Sequence, residues 1–212
     1  MTAIGKHTAP TKRPGELGVH SVDGFVFAVP DLRIAENFHK SFGLDVRTEG
    51  QGLSLYTDNH PHRWASIAEG PGSTKKLHHV SFGLFDEDMP AFSARLRDLG
   101  VKRLDPPPGY ESNGIWFRDQ DGTLVEVGVA QKSSPTKKTQ VDAILPSPGF
   151  GAAPKRSRAG MTRPNRLAHI LLFTSDVAAA VTFYTRVFGL RLSDRSGDNI
   201  AFYMAFTAAI IT

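Results

Sequence analysis

Two histidines and one glutamate stand where they could bind a divalent metal ion. His79 and His169 each lie seven residues before an aspartate, Asp86 and Asp176, and Glu126 follows in a later β-rich segment. Two histidines and one carboxylate form the facial triad of non-haem Fe(II) sites, which leaves coordination positions open. The same spacing also fits a packed strand histidine and a solvent-facing carboxylate. The sequence therefore nominates these three residues as metal-ligand candidates.

Other histidines fit less well into a single site. His78 and His79 are adjacent on a predicted strand, so their side chains should point to opposite faces and only one should enter a site. The segment Asp58-Asn-His60-Pro-His62 has a ligand-like composition. Its proline and its turn-forming residues predict a surface loop instead.

The candidates belong to a pattern that occurs three times, anchored on Asp31, Asp86 and Asp176. Each copy begins with a predicted strand, over residues 25–29, 80–84 and 170–174. Each aspartate then stands where a helix N-cap belongs. Apolar residues follow at helical spacing, and Gly43, Gly100 and Gly189 end the helices. With the later strands, each unit is β-α-β-β-β.

The period of the pattern divides the chain. Asp31 and Asp86 are 55 residues apart, and the interval from Asp86 to Asp176 is longer by about one irregular stretch, 131–164. We predict an N-terminal arm at 1–18 and a complete domain of two units at 19–130. A basic linker rich in Pro, Gly and Ser follows at 131–164. We predict a second domain that begins at 165–212 and is truncated.

Composition restricts the function classes. The chain is 40% hydrophobic and 22% charged, and it lacks an apolar run long enough to span a membrane. Its N-terminus has no secretory pattern and it contains no cysteine, which predicts a cytoplasmic protein. The net charge of +4 arises from the linker, so we predict neither a nucleic-acid nor a membrane partner.

Four segments of the repeat form a distinctive set. They are Phe-Ala-Val-Pro-Asp31-Leu, Leu-His-His79-Val-Ser-Phe, Phe-Arg-Asp-Gln-Asp-Gly-Thr-Leu-Val-Glu126 and Arg166-Leu-Ala-His169-Ile-Leu-Leu-Phe-Thr-Ser-Asp176-Val. Together they resemble the vicinal oxygen chelate superfamily, and most of all its type I extradiol dioxygenases of the catechol 2,3-dioxygenase kind. The resemblance implies an α+β fold in which paired βαβββ modules form a curved mixed sheet. The chain would hold one complete module pair and a truncated third module.

The resemblance also implies a chemistry. Such enzymes open a catecholic ring with O₂ on Fe(II) or Mn(II), which holds both reactants on one centre. The ligands are a histidine opening module three, a histidine opening module four and a glutamate ending module four. His169 matches the first ligand, and the other two have no counterpart. In the first pair Gly24 replaces a ligand, so His79 and Glu126 are expected to be vestigial. No catalytic residue is assigned.

The C-terminal residues depart from the family pattern. Relatives continue with a His-Gly-x-His-Gly-Ser-Asp-His-His-like strand, whereas this chain ends Tyr203-Met-Ala-Phe-Thr-Ala-Ala-Ile-Ile-Thr212. We hypothesise a reading-frame shift and expect the chain alone to be inactive. A half-finished module would expose an apolar face, which favours a homo-oligomer. The alternatives are a metal-free ligand-binding module of the bleomycin-resistance type and a glyoxalase-like lyase or isomerase, against which Gly24 argues.

Overall fold

A computed structural model describes residues 15–58, 60–131, 163–164, 166–167 and 169–204 of the chain. The helices are α1 (Leu32–Ser41), α2 (Met89–Asp98) and α3 (Val177–Arg186). The strands are β1 (Ser21–Val29), β2 (Asp45–Glu49), β3 (Gly52–Tyr56), β4 (Arg63–Glu69), β5 (Lys76–Leu84), β6 (Ile115–Arg118), β7 (Leu124–Val129), β8 (Arg191–Ser196) and β9 (Ile200–Met204). The described part of the chain contains no helix that is both long and apolar enough to cross a membrane.

The strands confirm the predicted α+β class with a mixed sheet. Strands β1 to β7 are hydrogen-bonded in the order β2-β3-β4-β1-β5-β7-β6, and β8 pairs with β9. Strands β5 and β7 are parallel, whereas β6 and β7, and also β2, β3 and β4, are antiparallel. The first copy of the pattern is a complete β-α-β-β-β unit, from β1 to β4.

The second copy has the same order with one strand reduced. Between α2 and β6, a single bridge joins Leu104 to Trp116. Three prolines follow at 106–108, and proline has no backbone N–H to donate to a ladder. The strand expected at this point therefore contracts to one bridge.

The chain separates into two compact units. Among the described residues, the first unit contains 15–25, 77–131 and 171–204, and the second contains 26–58, 60–76, 163–164, 166–167 and 169–170. The domain boundaries at residues 130 and 165 remain a prediction.

The core of the first unit lies on one face of β5, β7 and β6. Because side chains alternate along a strand, Val80, Phe82 and Leu84 share a face. All three are at most 5% exposed, and the Phe82 ring centroid lies 4.8 Å from that of Phe188. Phe92 of α2 is fully buried. Because these apolar side chains all lie on one face, polar side chains can lie on the opposite face of the same strands.

The second unit has its core on β3 and β4, where Leu55 and Ile67 are 3% and 1% exposed. Helix α1 contributes no buried residue. Phe38 and Phe42, four residues apart, are 61% and 60% exposed. This helix therefore carries an apolar stripe on its outer surface.

The starts of the helices show which of the three repeat aspartates act as N-caps. Asp31 and Asp176 cap α1 and α3, accepting hydrogen bonds of 2.9 Å from the N–H groups of Ile34 and Ala179. The prediction for Asp86 was wrong, because that residue begins a 3-10 turn over Asp86–Asp88 and α2 starts after it. A backbone hydrogen bond of 3.0 Å from Asp88 N–H to the carbonyl oxygen of Phe85 closes this turn before the helix begins.

The glycine stops are confirmed. Gly43, Gly100 and Gly189 have φ angles of 91°, 67° and 70°. Residues with a Cβ avoid this left-handed region, so glycine is suited to ending each helix there.

The predicted strand at 170–174 is absent from the described residues. This segment carries no strand assignment, and its Leu171 and Phe173 side chains are 76% and 90% exposed. A strand exists only when a neighbour accepts and donates its backbone hydrogen bonds, and no described strand pairs with this one. The β propensity of the segment is therefore not realised.

Candidate functional site

His79, Ser81 and Glu126 lie on the polar face of the first unit. Ser81 of β5 is in register with Glu126 of β7, and Glu126 is in register with Trp116 of β6. His79 is two residues before Ser81, so it shares that face. The strand register thus brings two of the predicted ligand candidates to one surface.

The carboxylate of Glu126 is held by hydroxyl groups. Ser81 Oγ donates to its Oε2 at 2.7 Å, and Ser112 Oγ donates to its Oε1. Ser112 Oγ also accepts from Trp116 Nε1 at 3.0 Å. Both carboxylate oxygens therefore have protein partners.

His79 is enclosed by aromatic rings and is 4% exposed. The ring centroids of Trp116 and Tyr110 lie 4.9 and 5.1 Å from its own, both edge-on. Burial first, and the neighbouring His78 second, lower the pKa of His79 to about 4. The imidazole is therefore neutral at neutral pH, the form in which a histidine can bind a metal or accept a proton.

His78 and His79 are adjacent on β5, and their rings are in contact. Their Nδ1 atoms are 2.7 Å apart, and the His78 ring lies 4.6 Å from that of Tyr110. Alternation along the strand points the two Cβ atoms to opposite faces, but the rings turn toward each other, and one Nδ1 atom donates a hydrogen bond to the other. The Nδ1 atom of His79 is consequently engaged by its neighbour.

His169 has a different environment. It is exposed, and it precedes the unpaired segment 170–174. No group of three or more His, Asp or Glu side chains that could hold a metal occurs among the residues that the structure describes. The described donors do not supply three ligands, so no metal-dependent step is assigned to them. His169, His79 and Glu126 stay predictions as metal ligands.

The described residues of the histidine-rich segment, 58 and 60–62, form no helix or strand, in agreement with the predicted loop. His62 N–H donates to His60 Nδ1 at 3.1 Å, and the His62 ring lies 4.5 Å from the ring of Trp64. Trp64 and Trp116 are buried, at 6% and 1% exposed. The loop histidines therefore pack over a core tryptophan.

A second polar cluster was not found from the sequence. Tyr184 of α3 donates from its hydroxyl to Asp119 Oδ2 at 2.8 Å, and Asp119 Oδ1 accepts from the N–H groups of Asp121 and Thr123 at 3.0 and 2.8 Å. Burial first, and the Asp119 carboxylate second, raise the pKa of Tyr184. The only sequence signal was the turn composition around Asp119.

The same turn also binds the residues before α3. Asp121 Oδ1 accepts from Ser175 N–H at 3.0 Å and from Ser175 Oγ at 2.8 Å. Hydrogen bonds from Thr174 and then Ser175 lower the pKa of Asp121 to about 2. The turn between β6 and β7 thus attaches the third copy of the pattern at two points.

The fold and the repeat define a known class of protein. The model of the Glyoxalase/Bleomycin resistance protein/Dioxygenase superfamily matches residues 21–127 and 166–210, which are most of the chain. The chain therefore belongs to this superfamily, as the resemblance implied.

Individual proteins of known name are also similar to this chain. The chain is 39% identical over 200 residues to Metapyrocatechase 2 of Cupriavidus necator, a match that covers 94% of this chain and 61% of that protein. The 2,3-dioxygenase LapB from Pseudomonas sp. KL28 has a similar fold, with a TM-score of 0.62, 21% identity and coverage of 88% of this chain and 65% of that one.

A further solved structure shares the fold. The Mn(II)-bound glyoxalase from Novosphingobium aromaticivorans gives a TM-score of 0.64 at 17% identity, covering 89% of this chain and 58% of that one. The chain thus spans about three fifths of the length of these relatives. It is homologous to extradiol dioxygenases.

Proposed function

We propose that this chain functions in an extradiol ring-cleavage dioxygenase of the catechol 2,3-dioxygenase kind, in the cytoplasm. The proposed substrate is a catecholic ring, the co-substrate is O₂, and the metal is Fe(II) or Mn(II). One observation carries the proposal, the 39% identity to Metapyrocatechase 2 over 94% of the chain.

We propose His169 as one metal ligand of that enzyme. It opens the third copy of the pattern, and its exposed ring is not packed into a core. His79 and Glu126 are proposed to be vestigial. The engagement of His79 Nδ1 by His78 and of both Glu126 oxygens by serines supports that assignment.

The proposed activity needs donors outside the described residues, since these do not supply three ligands. We therefore expect the 212 residues to bind Fe(II) or Mn(II) weakly and to consume no O₂ with catechol. Measuring metal content and O₂ uptake tests both expectations. Saturable catechol binding without metal would favour the ligand-binding alternative.

A complemented protein tests the assignment of His169. The chain is joined to the part of Metapyrocatechase 2 that lies beyond the match, and O₂ uptake is measured with catechol. Loss of outer-shell partners alone costs about 10- to 100-fold, so His169→Ala should lower activity by more than about 100-fold. His79→Gln should retain most of it.

Three results would count against the proposal. O₂ uptake that survives His169→Ala would remove the ligand role. Loss of O₂ uptake in His79→Gln but not in His169→Ala would place the metal in the first module pair. A folded complemented protein with no O₂ uptake on any catechol tested would contradict ring cleavage.

A further inference from the structure

A groove lies between α3 and the end of β6 in the first unit. Its volume is about 610 Å³, within the range of small-molecule pockets. One wall is a single face of α3, formed by Ala179, Thr182, Phe183 and Arg186. These residues are spaced at three, four and seven positions, so they point the same way.

The opposite wall mixes apolar and basic groups. Leu104 follows α2, and Lys102 and Arg118 border the groove from that side. Arg118 Nη1 donates to the carbonyl oxygen of Gly122 at 2.6 Å, which holds its guanidinium in place. A guanidinium has five N–H donors, so others remain for a ligand.

The charges of the groove are all of one sign. Lys102, Arg118 and Arg186 line it, and no carboxylate does so among the residues that the structure describes. The Lys102 and Arg186 side chains form no ion pair or hydrogen bond with described residues. Some exposed cations elsewhere have a carboxylate beside them, as Lys40 has Glu36 at 2.6 Å, whereas the lining of the groove gathers three cations and no described carboxylate. Three cations without counter-ions around an apolar floor raise the local concentration of anions.

We propose that this groove binds a small amphipathic organic anion. Its carboxylate, sulfonate or phosphate group contacts Lys102, Arg118 and Arg186, and its apolar body packs on Phe183 and Leu104. Arginine provides paired donors that fit such oxyanions. None of His79, Glu126 and His169 is among the residues that line the groove, and the inference does not depend on the proposed ring cleavage.

The test uses two fluorescent probes with the same rings. One is 1-anilinonaphthalene-8-sulfonate, and the other is N-phenyl-1-naphthylamine, which lacks the sulfonate. Each is titrated into the full chain at low and high salt. The sulfonate should bind saturably, at one site per chain, and more weakly as salt rises.

Two matched double variants test whether the cations of the groove bind the sulfonate group. Lys102→Gln with Arg186→Gln should weaken sulfonate binding at least about tenfold through loss of charge-assisted contacts, with little effect on the neutral probe. Lys76→Gln with Arg97→Gln removes the same charge from exposed positions that do not line the groove. This control should leave both affinities within a factor of about three.

One further variant tests whether both probes bind in this groove. Ala179 is exposed and lines the groove, so Ala179→Phe should obstruct it without disturbing the core, and both probes should bind more weakly. Circular dichroism confirms folding of each variant. The proposal fails if the sulfonate does not saturate, if both double variants weaken it equally, or if Ala179→Phe leaves its affinity unchanged.

Discussion

His79 and His169 occupy equivalent places in the repeat, yet their surroundings are opposite. His79 lies on a paired strand, is 4% exposed and is enclosed by aromatic rings. His169 precedes an unpaired segment and is exposed. The repeat therefore places a histidine at both positions, but the pairing of the surrounding strand decides whether that histidine is buried or exposed.

Aromatic packing should make the His79 region the most sensitive to substitution. Trp116 is 1% exposed and contacts His79, so Trp116→Ala should lower the free energy of unfolding by about 3–5 kcal/mol. Near His169, Phe173 is 90% exposed, and Phe173→Ala should change it by less than about 0.5 kcal/mol. Urea unfolding measures both. Similar losses would mean that the 170–174 segment is packed after all.

The attachment of the third copy should depend on one buried hydroxyl. Tyr184→Phe leaves Asp119 Oδ2 without its donor and should cost about 1–3 kcal/mol of unfolding free energy. Tyr203 is the matched control, because its hydroxyl is buried without a hydrogen-bond partner among the described residues. Tyr203→Phe should be neutral or slightly stabilising, and equal costs for the two variants would refute the role of the Tyr184–Asp119 bond.

The burial of His79 should make the stability of the fold depend on pH. The pKa of His79 is lowered from 6.5 to about 4, so between these values the unfolded chain binds more protons. Stability should therefore fall as pH drops through that window, by no more than about 1.4 kcal/mol per pH unit for one group. NMR titration of the His79 ring measures the pKa, and His79→Gln should flatten the pH dependence. A His79 ring that titrates near 6.5 would contradict its burial.

Much of the repeat could be predicted because its signals are local. The caps at Asp31 and Asp176 and the glycine stops depend on a few neighbouring residues, and the structure has them. Pairing is not local. The segment 170–174 has the composition of a strand but pairs with no strand among the described residues, and the Tyr184 hydroxyl donates to Asp119, 65 residues away in the sequence. The sequence nominated His79 and Glu126 as metal-ligand candidates, which stays a prediction, and it missed the two serines that donate to the Glu126 carboxylate.

The smallest effect compares the aspartates that anchor the copies. Asp31 accepts from Ile34 N–H at 2.9 Å, so Asp31→Ala should cost about 0.5–2 kcal/mol of unfolding free energy. Asp31→Asn keeps an acceptor oxygen and should cost less. Asp86 begins a 3-10 turn and caps no helix, so Asp86→Ala should stay within about 0.5 kcal/mol of the parent. Urea unfolding at one pH compares all three. If Asp86→Ala costs as much as Asp31→Ala, Asp86 also acts as a helix N-cap. The expected difference would mean that the same residue type at equivalent positions of the repeat caps a helix in one copy and begins a 3-10 turn in another.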